Sequence, residues 1–205
     1  MSKQLAVGKK LLFVVSGPSG VGKSTLCQNI LETVPDIRLS VSYTTRKPRA
    51  NESEGKEYRF ISQEEFEEKK AVHAFAEWAE VHGHLYGTPW SELEQNGQQF
   101  QSDILLDIDV QGAHQVMSTL KRAVSVFVLP PSLEVLWQRL SGRATDAPEE
   151  QQRRFQKAQD EMKHYPEYQY TIRNVNLEQA IWELRAVIMA ERVRTVHLDP
   201  AQVFR

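Results

Sequence analysis

A glycine-rich loop ending in lysine and serine constrains this chain more than any other stretch. Residues 17–24 are Gly-Pro-Ser-Gly-Val-Gly-Lys-Ser and match the pattern G-x-x-x-x-G-K-[ST] of a P-loop. The apolar run Leu11–Val15 before it is typical of a buried parallel strand, and Ser24–Thr33 after it predicts a helix. Because strand, loop and helix is the context that the motif requires, we favour a site for a nucleoside triphosphate over a chance glycine turn.

The P-loop pattern assigns a role to each kind of residue in it. Glycines let backbone N–H groups point at phosphate oxygens, and the N-terminus of the following helix adds positive potential. Lys23 supplies a charge for the β and γ phosphates, and the Ser24 hydroxyl supplies an oxygen ligand for Mg²⁺. The predicted triphosphate-binding residues are Gly17, Pro18, Ser19, Gly20, Val21, Gly22, Lys23, Ser24 and Thr25.

Composition narrows the class of protein. The 205 residues are 40% hydrophobic and 25% charged, as in an ordinary globular protein, and no apolar run approaches the ~20 residues of a membrane span. A net charge of −2 gives no reason to expect a nucleic acid or membrane partner. Cys27 is the only cysteine, which excludes an intrachain disulfide and favours the cytoplasm. The sequence leaves monomer and homo-oligomer undecided.

Strand and helix patterns alternate along most of the chain, which predicts an α/β fold with a parallel sheet covered by helices on both sides. One strand is expected over Leu39–Tyr43, and residues 38–88 are predicted to be a small β-rich insertion. Buried strands are expected over Ile104–Asp109 and Val124–Leu129. Ligands of such sheets bind beyond the carboxyl ends of the strands, so the P-loop and the carboxylates of Asp107 and Asp109 are predicted to share one cleft.

Asp107 and Asp109 are candidates for different roles. Asp107 follows an apolar run, as the carboxylate that holds Mg²⁺ in P-loop enzymes does, and we favour it as the residue near the metal. Asp109 is well placed to cap the helix that begins at Val110. Its role stays open between helix cap, ligand of a metal-bound water and contact with an acceptor substrate.

Arginines form two further candidate features. Arg46 and Arg49 lie in a polar loop, where they could hold the phosphate of a second nucleotide or simply be solvated, and spacing does not decide between these. Arg143 lies in a hinge-like segment, 141–145, of the kind that closes over a γ-phosphate. Arg153 is expected to be solvated.

Six segments, in this order and spacing, resemble the bacterial-type guanylate kinases, which are P-loop nucleoside monophosphate kinases. The segment Ser-Val-Ser-Tyr-Thr-Thr-Arg-Lys-Pro-Arg at 40–49 is the most specific of them, and the resemblance extends from about Leu11 to Arg192. The segments are Gly17–Ser24, Ser40–Arg49, Gly55–Tyr58, Glu77–Val81, Tyr86–Thr88 and Asp107–Gly112.

The resemblance implies Mg²⁺-dependent, direct in-line phosphoryl transfer from ATP to GMP, and to dGMP, in purine nucleotide metabolism. It implies a P-loop NTPase three-layer fold with a parallel sheet, a small mixed β GMP-binding insertion and a helical lid. One domain would span 1–205, with a core of 1–37, 89–140 and 153–205, a GMP-binding lobe of 38–88 and a lid of 141–152. The chain departs from the usual pattern at Asn51, at Ala144 and in the segment Asn174-Val175-Asn176.

The resemblance also implies roles for single residues. Ser42, Arg46, Arg49 and Tyr58 would hold the GMP phosphate together with Tyr86, while Glu77 and Thr88 would recognise guanine and Asp109 would lie near the acceptor. Arg139 would contact the nucleotide, and Asn174 would lie beside adenine. The implied catalytic residues are Lys23, Arg46 and the lid arginines Arg143 and Arg154, and the implied metal residues are Ser24 and Asp107.

Two other functions are less favoured. A non-catalytic interaction module of this family would lack Lys23 and the lid arginines, which are present here. A P-loop GTPase switch would carry an Asn-Lys-x-Asp motif, which this sequence lacks.

Overall fold

The fold alternates strands and helices along the chain. The computed structural model describes residues 11–49, 52–81, 83–93, 102–142 and 148–197. The elements are β1 (Leu12–Ser16), α1 (Lys23–Thr33), β2 (Ile37–Leu39), β3 (Ser42–Thr44), β4 (Tyr58–Phe60), α2 (Gln63–Ala71), β5 (Phe75–Val81), β6 (His84–Pro89), α3 (Trp90–Leu93), β7 (Asp103–Asp107), α4 (Val110–Thr119), β8 (Val124–Leu129), α5 (Leu133–Ser141), α6 (Pro148–Met162), β9 (Tyr170–Arg173) and α7 (Leu177–Arg192).

Five strands form a parallel sheet in the order β2-β7-β1-β8-β9. β1 is central, and Phe13, Val14 and Val15 are fully inaccessible to solvent because both faces of the sheet are covered. Successive residues of a strand point to opposite faces, so Phe13 and Val15 join one hydrophobic cluster while Val14 joins the other. The predicted parallel sheet is confirmed.

Helices pack on both faces of the parallel sheet. On one face α1 and α7 contribute buried side chains such as Leu26, Leu184 and Ile188, and the single cysteine, Cys27, is buried in the same cluster. On the other face α4 packs Ala113 and Val116 against the sheet. These clusters form the two interfaces of a three-layer sandwich.

A second sheet is mixed and has four strands in the order β4-β3-β6-β5. β3 pairs in parallel with β4, and β6 pairs antiparallel with both β3 and β5. Its hydrophobic cluster is small: the buried members are Phe66, Phe75 and Leu85.

The expectation of one strand over Leu39–Tyr43 is wrong. β2 ends at Leu39 in the parallel sheet, and β3 begins at Ser42 in the mixed sheet. The backbone N–H of Ser40 still donates to the carbonyl of Leu105 on β7 at 2.9 Å, so the chain leaves the parallel sheet immediately after this bond. Alternation of apolar and polar residues continues across the break because each short strand is itself only partly covered.

Other expectations agree more closely with the structure. The strand predicted at Val124–Leu129 is confirmed, whereas β7 ends at Asp107 and leaves Asp109 outside the strand. Asn51, Ala144 and the N-terminal residues 1–10 lie outside the described residues. Within the described part of the chain, none of the helices is long and apolar enough to cross a membrane.

Candidate active site

One cleft, with a volume of about 390 Å³, gathers most of the predicted site residues. It lies at the carboxyl ends of β1 and β7, where the P-loop faces the mixed sheet. The predicted residues that line it are Gly17, Pro18, Ser19, Gly20, Val21, Gly22, Lys23, Ser24, Thr25, Ser42, Arg49, Tyr58, Glu77, Tyr86, Asp107, Asp109 and Arg154.

The P-loop path requires glycine at specific positions. Gly20 and Gly22 have φ values of 88° and 92°, in the left-handed region that side chains disfavour. A Cβ on Gly17 would lie 2.4 Å from the carbonyl oxygen of Val128, so the loop passes directly over the end of β8. α1 begins after Gly22 without a side-chain cap, which leaves N–H groups at its first turn able to bind an anion.

Lys23 and Ser24 both contact the carboxylate of Asp107. The Lys23 ammonium pairs with Oδ1 and donates to the carbonyl of Ile108 at 2.9 Å, while the Ser24 hydroxyl donates to Oδ2 at 2.8 Å. Burial alone would lower the pKa of Lys23, but the neighbouring Asp107 carboxylate outweighs it and raises that pKa, so Lys23 stays charged. The predicted meeting of the P-loop with Asp107 is confirmed.

Asp109 is the N-cap of α4. Its Oδ1 accepts from the backbone N–H of Gly112 at 2.9 Å, and its Oδ2 accepts from the Gln111 amide at 3.2 Å. The helix-cap alternative is therefore confirmed. Asp109 also lines the cleft, so the cap does not exclude the predicted contact with an acceptor.

Three predicted residues contact the P-loop itself. Asn174 and Arg139 donate to the carbonyl of Val21 at 2.7 and 3.2 Å, and neither is among the residues that line the cleft. Arg154, from α6, donates to the Ser19 hydroxyl at 3.1 Å and does line the cleft. Asn174 and Arg139 thus support the loop backbone rather than the cleft wall.

On the side of the mixed sheet, a buried carboxylate has one oxygen already hydrogen-bonded. Oε1 of Glu77 accepts from the Thr88 backbone N–H at 3.0 Å and from the Thr88 hydroxyl, which lies 2.9 Å from the Ser42 hydroxyl. Burial raises the pKa of Glu77 to about 7, although the Thr88 hydrogen bonds act in the opposite direction. These contacts fix the orientation of the carboxylate.

Sequence reasoning missed the part played by Gly112. A Cβ at this position would lie 2.4 Å from Oε2 of Glu77, so only glycine lets α4 approach the carboxylate this closely. A glycine inside a helix costs about 1 kcal/mol relative to alanine. Its presence in the first turn of a predicted helix was the available signal.

Arg46 is not among the residues that line the cleft, but it is held in a fixed orientation beside two residues that do, Tyr58 and Tyr86. Its guanidinium donates to both carboxylate oxygens of Glu52 at 2.9 Å, and its Nε donates to the Tyr86 hydroxyl at 3.1 Å. Its Cζ lies 5.5 Å from the ring centroid of Tyr58, and burial raises the pKa of that phenol to about 12. Arg49 lines the cleft with a side chain that is 63% exposed. Glu52 was missed, although an acid three residues after Arg49 was a visible signal.

α6 contributes a charged face to the cleft. Arg154, Lys157 and Glu161 all line it, and their spacing of three and four residues places them on one side of the helix. Burial raises the pKa of Glu161, and Lys157 partly counteracts this effect. Neither Lys157 nor Glu161 was among the site residues predicted from the sequence. Arg143 lies outside the described residues.

Comparisons with known proteins agree on one family. A family model for guanylate kinase matches residues 9–191. The chain is 50% identical over 195 residues to a guanylate kinase of Symbiobacterium thermophilum, covering 95% of this chain and 92% of the relative. It is 45% identical over 188 residues to that of Geobacter sulfurreducens, covering 92% of each chain. The crystal structure of a guanylate kinase from Anaplasma phagocytophilum superimposes with a TM-score of 0.77 at 34% identity, covering 93% of this chain and 90% of that one.

Proposed function

The chain belongs to the guanylate kinase family, and from this membership and the cleft geometry we propose how its residues act. It is a nucleoside monophosphate kinase that phosphorylates GMP with ATP, giving ADP and GDP. The observation that carries the assignment of residues is that a P-loop and the buried Glu77–Thr88 pair face each other across one cleft. The donor would bind at the first and the acceptor base at the second.

The triphosphate of ATP is proposed to lie in the P-loop. Backbone N–H groups of the loop and of α1 would surround its oxygens. Lys23 would turn from Asp107 and the carbonyl of Ile108 towards the β and γ phosphates, because these carry more negative charge. Arg139 and Asn174 would keep the loop in shape through the carbonyl of Val21.

Ser24 and Asp107 fit a magnesium ion. The hydroxyl and carboxylate oxygens of these residues lie 2.8 Å apart at the end of the P-loop, and Mg²⁺ prefers such hard oxygen ligands. When bound, the ion would neutralise part of the charge on the ATP phosphates. Asp107 would then exchange its contact with Lys23 for one with the ion.

Guanine is proposed to be recognised by Glu77. Its N1–H and 2-amino groups are adjacent donors, and a carboxylate can accept from both. Thr88 holds Oε1 in place, and Gly112 leaves room beside Oε2. Adenine lacks this donor pair, so AMP would leave the remaining acceptor positions of the buried carboxylate unfilled, at ~1–3 kcal/mol or more.

The GMP phosphate is proposed to be held by Arg46, Arg49 and the two phenols, Tyr58 and Tyr86, with Ser42 alongside. One of its oxygens attacks the γ-phosphorus in line. A new P–O bond forms, the bond from the γ-phosphorus to the bridging oxygen breaks, and ADP leaves with that electron pair. No protein nucleophile is needed, so catalysis is positioning, worth ~7–11 kcal/mol, together with charge neutralisation.

Arg154 of α6 is proposed to reach the transferring phosphoryl group. It already lines the cleft beside Ser19 of the P-loop, and its face of α6 also presents Lys157. Arg143 and the proposed lid over 141–152 would close on the donor side, and the proposed GMP-binding lobe over 38–88 would close from the other. Both movements would exclude water from the γ-phosphate.

The wider setting is also proposed from the sequence. The net charge of −2 and the single cysteine support a role in the cytoplasm without a nucleic acid partner. dGMP would be accepted along with GMP, because none of the proposed contacts uses the 2′-hydroxyl.

The test combines acceptor choice with metal dependence. ADP formation is measured with ATP and each of GMP, AMP, UMP and CMP over a range of Mg²⁺ concentrations. We expect turnover with GMP alone, loss of turnover in excess EDTA, and a higher Mg²⁺ requirement in Asp107→Asn. Asp160→Asn is the matched control, because that carboxylate is exposed. An unchanged Mg²⁺ requirement in Asp107→Asn would contradict the metal assignment. Turnover with AMP at the GMP rate would contradict the role of Glu77.

A further inference from the structure

A second cavity lies between α4 and α6, next to the active-site cleft. Its volume is about 660 Å³, and its lining includes Gln111, His114, Gln156 and His164. It shares Lys157 and Glu161 with the cleft. The proposed reaction uses neither histidine.

At this cavity, two histidines meet one carboxylate. His114 lies on α4, whereas His164 and Glu167 lie in the short connection between α6 and β9. Nδ1 of His164 is 2.7 Å from Oε1 of Glu167, and Nε2 of His114 is 2.9 Å from Oε2. The possible ligand atoms of the three side chains all lie within 4.8 Å of one another.

We propose that His114, His164 and Glu167 bind a late first-row divalent metal ion, for which Zn²⁺ is the probe, separately from the Mg²⁺ of the reaction. Imidazole nitrogens favour Zn²⁺, Cu²⁺ and Ni²⁺ over Mg²⁺. Two histidines and one glutamate form a known zinc ligand set that leaves the fourth position open. Zn–ligand bonds of ~2.0–2.1 Å place tetrahedral ligand atoms ~3.3 Å apart. The two nitrogen–oxygen separations here are 2.7 and 2.9 Å, and no separation in the group exceeds 4.8 Å, so small side-chain movements would bring the three ligands to that spacing.

The side chains are positioned in advance. Nε2 of His114 is buried and, among the described residues, makes no hydrogen bond, because its close contact with Glu167 lacks hydrogen-bond geometry. The His114 ring lies 4.8 Å from the His164 ring and 6.4 Å from that of Tyr168, which packs on Phe127 of the core. The buried nitrogen therefore lies on a rigid support, 2.9 Å from a carboxylate oxygen of Glu167.

The connection after α6 also brings its two ligands together. The backbone N–H of Glu167 donates to the carbonyl of His164 at 3.0 Å, within one tight turn. A fourth ligand, such as a water molecule, could reach the ion from the cavity that His114 and His164 line. A bound ion would tie α4, which begins after Asp109, to the chain that follows α6, which carries Arg154.

The test uses the untagged full chain without nucleotide. Zn²⁺ is titrated against a chromophoric chelator, and Co²⁺ is added separately to record its visible d–d absorption. We expect one tight equivalent, with affinity reduced tenfold or more in His164→Gln and in His114→Gln. His84→Gln is the control, since His84 is exposed and distant in the mixed sheet.

Two further measurements separate a lost site from a damaged fold. The Mg²⁺-dependent kinase rate of His164→Gln, measured without Zn²⁺, should equal that of the original chain, because His164 is outside the proposed reaction. Zn²⁺ should raise the thermal unfolding midpoint of the original chain and not that of Glu167→Gln. Equal Zn²⁺ affinity in His164→Gln and the original chain, or a loss confined to His84→Gln, would overturn the proposal.

Discussion

The two sides of the cleft are built differently. The P-loop side is mainly backbone, shaped by glycines over the end of a five-stranded sheet with a large core on each face. The mixed-sheet side consists of side chains that hold one another, including the pairs Glu77–Thr88 and Arg46–Glu52. They lie above a cluster in which, among the residues that the structure describes, three apolar side chains are buried. The P-loop side, or donor side, is the side where ATP is proposed to bind, and it owes its geometry to the core. The mixed-sheet side, or acceptor side, is the side where GMP is proposed to bind, and it owes its geometry to polar pairs.

This difference predicts different responses to mutation. A change on the P-loop side that leaves the glycine path intact should remove charge without disturbing geometry. A change on the mixed-sheet side should disturb geometry, because each polar side chain positions a neighbour.

Lys23→Ala should lower kcat by ~10²–10³-fold or more, because it removes the charge that meets the β and γ phosphates. The chain should still fold, since the α1 core residues remain, with a moderate fall in the thermal unfolding midpoint because Asp107 loses its cationic partner. Steady-state rates and calorimetry measure the two effects. Lys56→Ala, at an exposed lysine, is the control. A large loss of stability with little loss of rate would contradict the claim that Lys23 serves catalysis more than it serves the fold.

Glu77→Gln should raise the KM for GMP roughly 10-fold to 100-fold and leave the KM for ATP nearly unchanged, because an amide cannot accept both guanine donors. Initial rates at varied GMP and varied ATP measure the effect. Glu80→Gln is a matched control, because Glu80 is exposed on the opposite face of β5. Equal rises in both KM values would show that the acceptor side is not a separate unit.

The original chain and Glu77→Gln should differ in how their free energy of unfolding depends on pH. Burial raises the pKa of Glu77 to about 7, above the ~4.3 of an unfolded chain, so the folded state favours the protonated acid. That stabilisation is complete below pH ~4.3 and is lost as the pH rises through about 7. Glu77→Gln cannot ionise, so its unfolding free energy relative to the original chain should increase from about pH 4 to about pH 8. Urea unfolding at several pH values measures this, and a difference that is constant with pH would contradict it.

Gly112→Ala should raise the KM for GMP roughly tenfold, because the new methyl group displaces the Glu77 carboxylate at ~1–3 kcal/mol. Stability should not fall in parallel, since alanine favours the helix by about 1 kcal/mol. GMP kinetics and urea unfolding separate the two effects. Ser118→Ala, at an exposed position of the same helix, should change neither quantity. An unchanged KM for GMP in Gly112→Ala would mean that the Glu77 carboxylate can move away from the new methyl group and still bind guanine.

Glu52→Gln should have the smallest effect, a rise of about threefold in the KM for GMP. It weakens the two-point contact that orients Arg46, a partly buried pair worth ~1 kcal/mol. GMP titrations at low and high salt measure it, because screening should reduce the difference. The exposed Glu64→Gln serves for comparison. A lower KM would mean that Glu52 restrains Arg46 instead of presenting it.

The same contrast explains what the sequence could predict. The P-loop is a continuous motif with a physical reason for each residue, so the positions of Lys23 and Ser24 followed from eight consecutive letters. The acceptor side depends on contacts between residues far apart in the chain, such as Glu77 with Gly112, which spacing alone does not reveal. There the resemblance to a family supplied the residues, and the structure supplied their partners.

One detail shows where a local pattern fails, and a second shows contacts that the family resemblance did not supply. The change of sheet after Ser40 was missed because alternation reports which residues are covered and not which sheet covers them. Arg139 and Asn174 were assigned to the nucleotide, whereas the structure shows them donating to the backbone of the P-loop. Their roles toward a bound nucleotide stay a prediction.

The buried Cys27 provides a natural labelling site that reports local opening of the fold. It is the sole thiol in the chain, it lies in α1 directly behind the P-loop, and burial raises its pKa well above the usual range. A thiol reagent can therefore modify it only when α1 moves away from the sheet. The labelling rate measures how often the donor side opens, without any engineered probe. Comparing the labelling rates with and without ATP shows how nucleotide binding changes the opening frequency of the P-loop side in solution.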